Sequence, residues 1–182
     1  MHHFFRTMGL MTQYDLVFKG LKEGFHEFGY NIEDKFFDHF EQGMVSVGCL
    51  EVKVILEKRS TFLKLSFTVK GWVELTCDRC LEIYRQPVVH KDEIFVKFGE
   101  TDFNGDDEVL WVLPGEHKLN LAQLIFEFII VSIPLKHVHP VEKNGKCGCN
   151  TEMIDKINQY SQQGQAHLEI DPRWEALKKI KN

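Results

Sequence analysis

Residues 63–81 read LKLSFTVKGWVELTCDRCL, and this stretch decides how the chain folds. An apolar residue or a glycine occupies every odd position from Leu63 to Leu75, which predicts a long strand with one buried face. The same parity continues to Cys77, so we expect that thiol to follow the buried face. Cys77 and Cys80 then form a C-x-x-C pair on the turn after the strand. Such a pair can hold a metal, close a disulfide or carry out redox chemistry.

Other alternating segments predict a sheet of six or seven mainly antiparallel strands. Besides the strand just described, they lie at about 14–18, 28–32, 45–56, 88–98 and 109–113. The apolar parity changes between Val47 and Val52, so we expect a bulge or bend near Gly48. After Asn120, a plausible N-cap, residues 121–131 are apolar on nearly every face, and Pro134 follows. This pattern predicts a buried helix that is too short to span a bilayer.

Together these elements predict one α+β domain. We expect a strongly curved, mainly antiparallel sheet or a partly open barrel, packed by the helix at 120–133. We divide the chain into a flexible leader (1–13), a core domain (14–135) and a polar, cysteine-containing segment with a helical tail (136–182). In that last part we expect a helix at 151–160, a glutamine-rich linker at 161–167 and a final helix from Asp171.

Composition narrows the classes of function. The chain has 182 residues, 43% of them hydrophobic, and a net charge of −5, so it is not a simple polycationic RNA binder. The first residues do not form a signal peptide, which favours a cytoplasmic protein. In a reducing compartment, close cysteine pairs are more often metal-binding or catalytic than disulfide-bonded.

Four of the five cysteines form two close pairs. The pairs are Cys77 with Cys80 and Cys147 with Cys149. Because tetrahedral zinc needs four ligands, the zinc hypothesis assigns all four thiols, with His137 or His139 able to replace one of the second pair. The alternative is a set of reduced, unbridged cysteines. A thioredoxin-like redox site is a third interpretation, but it requires C-x-x-C at a helix N-terminus rather than between antiparallel strands.

Candidate nucleic-acid contacts are few. Arg79, between the two thiols, suits a phosphate contact, or else an ion pair with a neighbouring carboxylate. Arg173 has the same two interpretations, with Asp171 as its partner in the chain. Trp174 could stack on a base, although its spacing with later apolar residues favours packing. No catalytic triad, glycine-rich phosphate loop or H-E-x-x-H helix is present, so we expect no enzymatic activity.

Five segments in a fixed order resemble one known family. They are Gly71–Leu75, the C-D-R-C-L motif at 77–81, Val96–Gly99, the helix ending in Ile133-Pro134-Leu135, and Asp171-Pro172-Arg173-Trp174. This combination resembles the YceD family, the large ribosomal RNA subunit accumulation proteins, and is most similar to Bacteroidetes versions. Cys147-Gly148-Cys149 is one residue tighter than the second cysteine cluster of many relatives.

The resemblance implies a non-enzymatic cytoplasmic factor that supports accumulation or processing of large-subunit (23S) ribosomal RNA. The implied partner is that RNA or a pre-ribosomal particle, reached directly or through a ribosomal protein. An alternative function is a zinc-stabilised protein-interaction adaptor with no direct RNA contact. A thiol oxidoreductase is a third hypothesis, and the oligomeric state stays open.

Overall fold

The computed structural model describes residues 11–40, 43–99, 109–141 and 147–165. A short 3-10 helix (Thr12–Tyr14) precedes the main elements. In chain order these are β1 (Asp15–Val17), β2 (Gly24–Ile32), α1 (Asp34–Phe37), β3 (Gly48–Lys58), β4 (Phe62–Thr76), β5 (Ile83–Phe98), β6 (Val109–Val112), β7 (Lys118–Asn120), α2 (Ala122–Val131) and α3 (Thr151–Gln165). The α+β class expected from the sequence is confirmed. No helix in the described ranges is both long and apolar enough to cross a bilayer.

The chain divides into two compact units. The first comprises the described parts of Met1–Leu75 and Ile83–His137. The second comprises Thr76–Glu82 and the described part of Val138–Asn182. The short loop between β4 and β5 therefore groups with the C-terminal segment rather than with the strands that it connects.

The first unit contains a five-stranded sheet in the order β2-β3-β4-β5-β6 and a separate pair, β1 with β7. β2, β3 and β4 pair antiparallel with a constant register, and β5 pairs with β6 in parallel. Two contacts, Glu74 with Arg85 and Lys64 with Glu93, show that β4 and β5 run antiparallel. Among the described residues β2 and β6 form the two edges, so this sheet is open.

Strict alternation builds the core of the first unit. Leu63, Leu65 and Val69 of β4 are fully buried, and so are alternate residues of β3 such as Val54. The opposite faces of these strands are half-buried or exposed. Apolar residues on one face of a sheet must be covered, and the ring of Phe67 meets that of Phe128 from α2 edge-on, at 5.0 Å between centroids. The predicted helix is confirmed; Ala122, Ile125, Phe128 and Ile129 form its buried side, while Val131 is 73% exposed.

Of the bulge or bend expected near Gly48, the bulge is absent from the pairing of β3 with β4, whereas the chain bends just before it, at Met44 and Ser46. β3 begins at Gly48, and its pairing with β4 runs one to one from Gly48 opposite Val73 to Lys58 opposite Leu63. Val45 is buried, but it lies before the strand rather than within it. The change in apolar parity therefore marks the entry into β3, where the carbonyl of Val47 already accepts the N–H of Glu74 at 2.9 Å.

Two helix boundaries also differ from the predicted ones. α2 begins after Leu121, while Asn120 is the last residue of β7 and its Oδ1 accepts the N–H of Ala122 at 3.1 Å. α3 continues to Gln165, so the first part of the expected glutamine-rich linker is helical. On α2, Gln123 Nε2 donates to Glu127 Oε1 at 2.7 Å.

Candidate metal centre

The loop between β4 and β5 directs two thiols inward. Cys77 is 0% exposed and Cys80 4% exposed, whereas Asp78 and Arg79 between them are exposed. The N–H of Cys77 donates to the carbonyl of Glu82 at 2.9 Å. The N–H of Arg79 points at the sulfur of Cys77, with 3.5 Å between N and Sγ. These backbone contacts fix both thiols on the same side of the loop.

Leu81 completes this loop in an unusual conformation. Its φ is +61°, the one positive φ of a residue other than glycine in the described part of the chain. Its N–H donates to the carbonyl of Cys77 at 2.9 Å, which closes the turn, and its side chain is 68% exposed. The left-handed conformation costs an L-residue roughly 1–2 kcal/mol, and it is retained here because the turn needs it.

We expect Leu81→Val to destabilise the loop, since a β-branched residue tolerates a positive φ poorly. The matched control is Leu81→Asn, because asparagine adopts this conformation readily. Chemical unfolding of both variants should show a loss of roughly 1 kcal/mol for valine and little change for asparagine. Equal losses in the two variants would mean that the leucine side chain, rather than the backbone, matters.

The C-terminal segment supplies the other half of the site. Val141 and Cys147 form an antiparallel bridge. Two residues before Val141 and two residues after Cys147, the same antiparallel register places His139 opposite Cys149. The next residue, Asn150, caps α3, because its Oδ1 accepts the N–H groups of Glu152 and Met153 at 3.0 and 3.3 Å.

Asn150 also joins this segment to the C-x-x-C loop. Its Nδ2 donates to Oε1 of Glu82 at 2.9 Å. One asparagine therefore caps α3 with its oxygen and holds the last residue of the loop with its nitrogen. The start of α3 and the loop are consequently fixed to each other within the second unit.

Four side chains from these two segments converge. The ligand atoms of Cys77, Cys80, His139 and Cys149 all lie within 4.8 Å of one another. The sulfur atoms of Cys77 and Cys149 are 3.8 Å apart, and Sγ of Cys80 is 3.5 Å from Nδ1 of His139. The three cysteines are buried and the histidine is half-buried. This group could bind a metal ion.

The thiols of this group do not ionise alike. Burial raises the pKa of Cys77, but N–H groups of Cys80, Arg79 and His139 outweigh it and lower the pKa to about 6. Hydrogen bonding with Cys147, burial and the adjacent Cys77 raise the pKa of Cys149 to about 12. Neighbouring thiolates repel each other, so a cation among them would stabilise the fully ionised set.

The structure brings together three of the four cysteines proposed as ligands. Cys147, the fourth, is not in the group of four, although its sulfur is 2.9 Å from that of Cys149. His139 occupies the fourth position, as one of the two histidines that the sequence offered as a replacement. His137, the other, is not in the group. The antiparallel bridge between Val141 and Cys147 brings His139, rather than Cys147, into the group. No local sequence pattern predicts this bridge.

The candidate nucleic-acid contacts have different placements. Arg79 is exposed on the C-x-x-C loop, and its positive charge adds to the hydrogen bonding with Cys149 that lowers the pKa of Cys147. Asp171, Arg173 and Trp174 lie outside the described residues. The loop joins β4 to β5, so Cys77 and Cys80 do not begin a helix as the redox interpretation requires.

Comparison with known proteins places the site in context. A family model described as "Large ribosomal RNA subunit accumulation protein YceD" matches residues 65–181. The matched range includes the C-x-x-C loop, His139 and Cys149. No curated protein and no solved structure matches the chain.

Proposed function

Because the chain belongs to the YceD family, we propose that it is a non-enzymatic cytoplasmic factor that supports accumulation of large-subunit (23S) ribosomal RNA. The family match over 65–181 carries this proposal. The implied partner is the RNA itself or a pre-ribosomal particle. Arg79 is the proposed phosphate contact on the C-x-x-C loop, and Asp171, Arg173 and Trp174 are proposed contacts near the C-terminus.

The metal that we propose for the site is zinc. A tetrahedral zinc, with Zn–S of about 2.3 Å and Zn–N of about 2.0 Å, places two sulfur ligands about 3.8 Å apart and a sulfur and a nitrogen about 3.5 Å apart. Cys77 and Cys149 have sulfur atoms at 3.8 Å, and Cys80 and His139 have their ligand atoms at 3.5 Å. Three soft thiolates and an imidazole are also a usual donor set for zinc.

The number of ligands favours a structural role for this zinc. Catalytic zinc sites keep an open position for water or substrate, whereas structural sites are closed by four protein ligands. Cys77, Cys80, His139 and Cys149 would fill all four positions. This supports a function without catalysis, in which the metal holds the loop at Thr76–Glu82 against the segment that begins α3.

Deletion of the gene tests the proposed function. We expect the deleted strain to contain less large-subunit than small-subunit ribosomal RNA, because unassembled large-subunit RNA is degraded. The measurement is the ratio of the two mature RNAs, with complementation by the intact gene as the control. An unchanged ratio during rapid growth would contradict the proposal.

A protein-interaction adaptor is the second candidate function. The exposed apolar side chain of Leu81, at the tip of the metal-stabilised loop, favours it. An adaptor would lower the RNA ratio on deletion as well, but purified protein would not bind ribosomal RNA. Filter binding across a salt series distinguishes the two, since a direct binder loses affinity as salt rises.

A further inference from the structure

The outer face of the sheet carries an arginine stacked on a tryptophan. Trp72 lies on β4, on the side opposite the buried core residues, and directly opposite Cys49 of β3. The guanidinium carbon of Arg85, on β5, is 3.9 Å from the centre of a Trp72 ring. The Arg85 side chain remains 65% exposed, so the stack lies at the surface. Its Nε also approaches Oε1 of Glu74 at 3.4 Å, which helps to fix its orientation.

Two lysines accompany this stack on the same face. Lys70 is two residues before Trp72, about 6.7 Å along the strand, and Lys91 lies on β5 between Arg85 and Glu93. Both are exposed, and neither forms an ion pair within the part of the chain that the structure describes. Their charges are therefore available to a ligand.

Charge varies along this face. Around Trp72 the cations Lys70 and Arg85 accompany two carboxylates, those of Glu51 and Glu74, and Lys91 lies farther along β5, two residues from Glu93. At the other end of the sheet each carboxylate is already paired with a cation: Glu27 with Lys53, Glu57 with Arg59 and Glu93 with Lys64. Among the described residues, Lys70 and Lys91 therefore offer unpaired positive charge on this face of a chain whose net charge is −5, and an anionic ligand would complement that charge.

This combination matches the chemistry of single-stranded RNA. Unpaired bases stack on aromatic rings and on the planes of arginine guanidinium groups. A guanidinium already held over an indole loses little freedom when a base stacks on its outer side. Lys70, about 6.7 Å from Trp72, and Lys91, about 20 Å from Arg85 along β5, can then contact phosphates of successive nucleotides. Exposed Val89, 70% accessible between Lys91 and Arg85, adds apolar surface for a second base.

We propose that the outer face of β3–β5 around Trp72 and Arg85 binds single-stranded RNA, with Lys70 and Lys91 as phosphate contacts. This site deepens the proposed function and rests on it for the identity of the RNA. It lies in the first unit, whereas the candidate metal centre and Arg79 belong to the second. It therefore predicts RNA binding that does not require any of those groups.

The test uses the purified full chain and fluorescent RNA oligonucleotides of about twelve nucleotides. Binding is followed by fluorescence anisotropy from low to physiological salt. We expect single-stranded RNA to bind more tightly than duplex RNA of the same sequence. Trp72→Leu and Arg85→Gln should each weaken binding about ten-fold, the size of one lost stacking contact. Arg85 can be replaced without disturbing the sheet, so weaker binding by Arg85→Gln would reflect the lost contact. This variant therefore serves as a check on the result for Trp72→Leu.

Loss of the phosphate contacts should change the salt dependence of RNA binding. The double variant Lys70→Gln with Lys91→Gln should lower the slope of log affinity against log salt by about 1.4, since each phosphate contact to a single strand contributes about 0.7. Lys64→Gln is the matched control, because it removes one positive charge from the same face at the end away from Trp72, where Lys64 pairs with Glu93. It should leave the affinity within about two-fold of the intact protein.

Several results would overturn the site. These are no binding of single-stranded RNA at low salt, equal binding of duplex RNA, or equal weakening by Lys64→Gln and Arg85→Gln. Association only with a ribosomal protein would assign the face to a protein partner instead. A deletion strain with a lowered RNA ratio, together with purified protein that binds no RNA, would overturn this site and leave the proposed function intact. An unchanged RNA ratio in the deletion strain, together with RNA binding that depends on Trp72 and Arg85, would overturn the proposed function and leave this site intact.

Discussion

Replacing His139 by alanine should abolish metal binding at the proposed zinc site, whereas replacing Cys147 by serine should leave about one metal ion per chain. The imidazole of His139 is one of four ligand atoms that lie within 4.8 Å of one another, and the thiol of Cys147 is outside that group. Structural zinc contributes roughly 10–16 kcal/mol of apparent binding energy in small domains. Loss of one ligand should therefore lower the affinity by several orders of magnitude.

The measurement is metal content by mass spectrometry, on protein purified without a histidine tag. Cys77→Ser serves as a positive control for loss, because the thiol of Cys77 belongs to the group under either assignment. The critical pair is His139→Ala and Cys147→Ser, which separates a site with one histidine from a site with four cysteines. Metal retained in His139→Ala and lost in Cys147→Ser would refute the assignment made from the structure.

The same variants should change the stability of the second unit. Within that unit the loop and the start of α3 are joined by the four ligands and by the bond between Asn150 and Glu82. When a metal site forms only in the folded state, binding energy becomes folding energy. We therefore expect chelation of the intact protein, like His139→Ala, to lower the helical signal in circular dichroism before the sheet unfolds.

The sequence predicted those parts of the fold that depend on local pattern. Alternation from Leu63 to Leu75 identified β4 and its buried face, because side chains on a strand change sides at every residue. The same parity explains why the burial of Cys77 was predictable. The apolar run after Asn120 identified α2, although Glu127 and Val131 of this helix are exposed.

Long-range pairing accounts for the features that the sequence did not reveal. The parallel pairing of β6 with β5 is an example, because alternation identifies a strand but not its direction. The choice of His139 over Cys147 is another, since it depends on the bridge that joins Val141 to Cys147. The sequence predicted a linker at residues 161–165, which belong to α3, because a polar helix and a polar loop have similar compositions.

Gly71→Ala should destabilise the protein by roughly 3 kcal/mol or more, a loss larger than most overpacking substitutions produce. Gly71 has a φ of +154°, which residues with a side chain rarely adopt, and it pairs directly with Leu50 of β3. A Cβ added there would lie 2.2 Å from the carbonyl oxygen of Cys49 and 2.6 Å from Cα of Leu50. Both atoms belong to the backbone, so relief requires that β3 and β4 move apart.

The control for this substitution is Gly29→Ala on β2. A Cβ at Gly29 would meet no atom within 4 Å, and its φ lies outside the positive range. Alanine in a strand loses less freedom on folding than glycine does, so Gly29→Ala should leave stability unchanged or raise it by up to about 1 kcal/mol. Urea unfolding of both variants measures the difference.

The location of Gly71 makes the result informative for function as well. It precedes Trp72 in β4, so separation of β3 from β4 would displace the stack with Arg85 and weaken RNA binding together with stability. Metal content should stay normal in Gly71→Ala, because the candidate metal centre lies in the other compact unit. Equal stability of Gly71→Ala and Gly29→Ala would show that β3 and β4 do not approach as closely at this point as the structure places them.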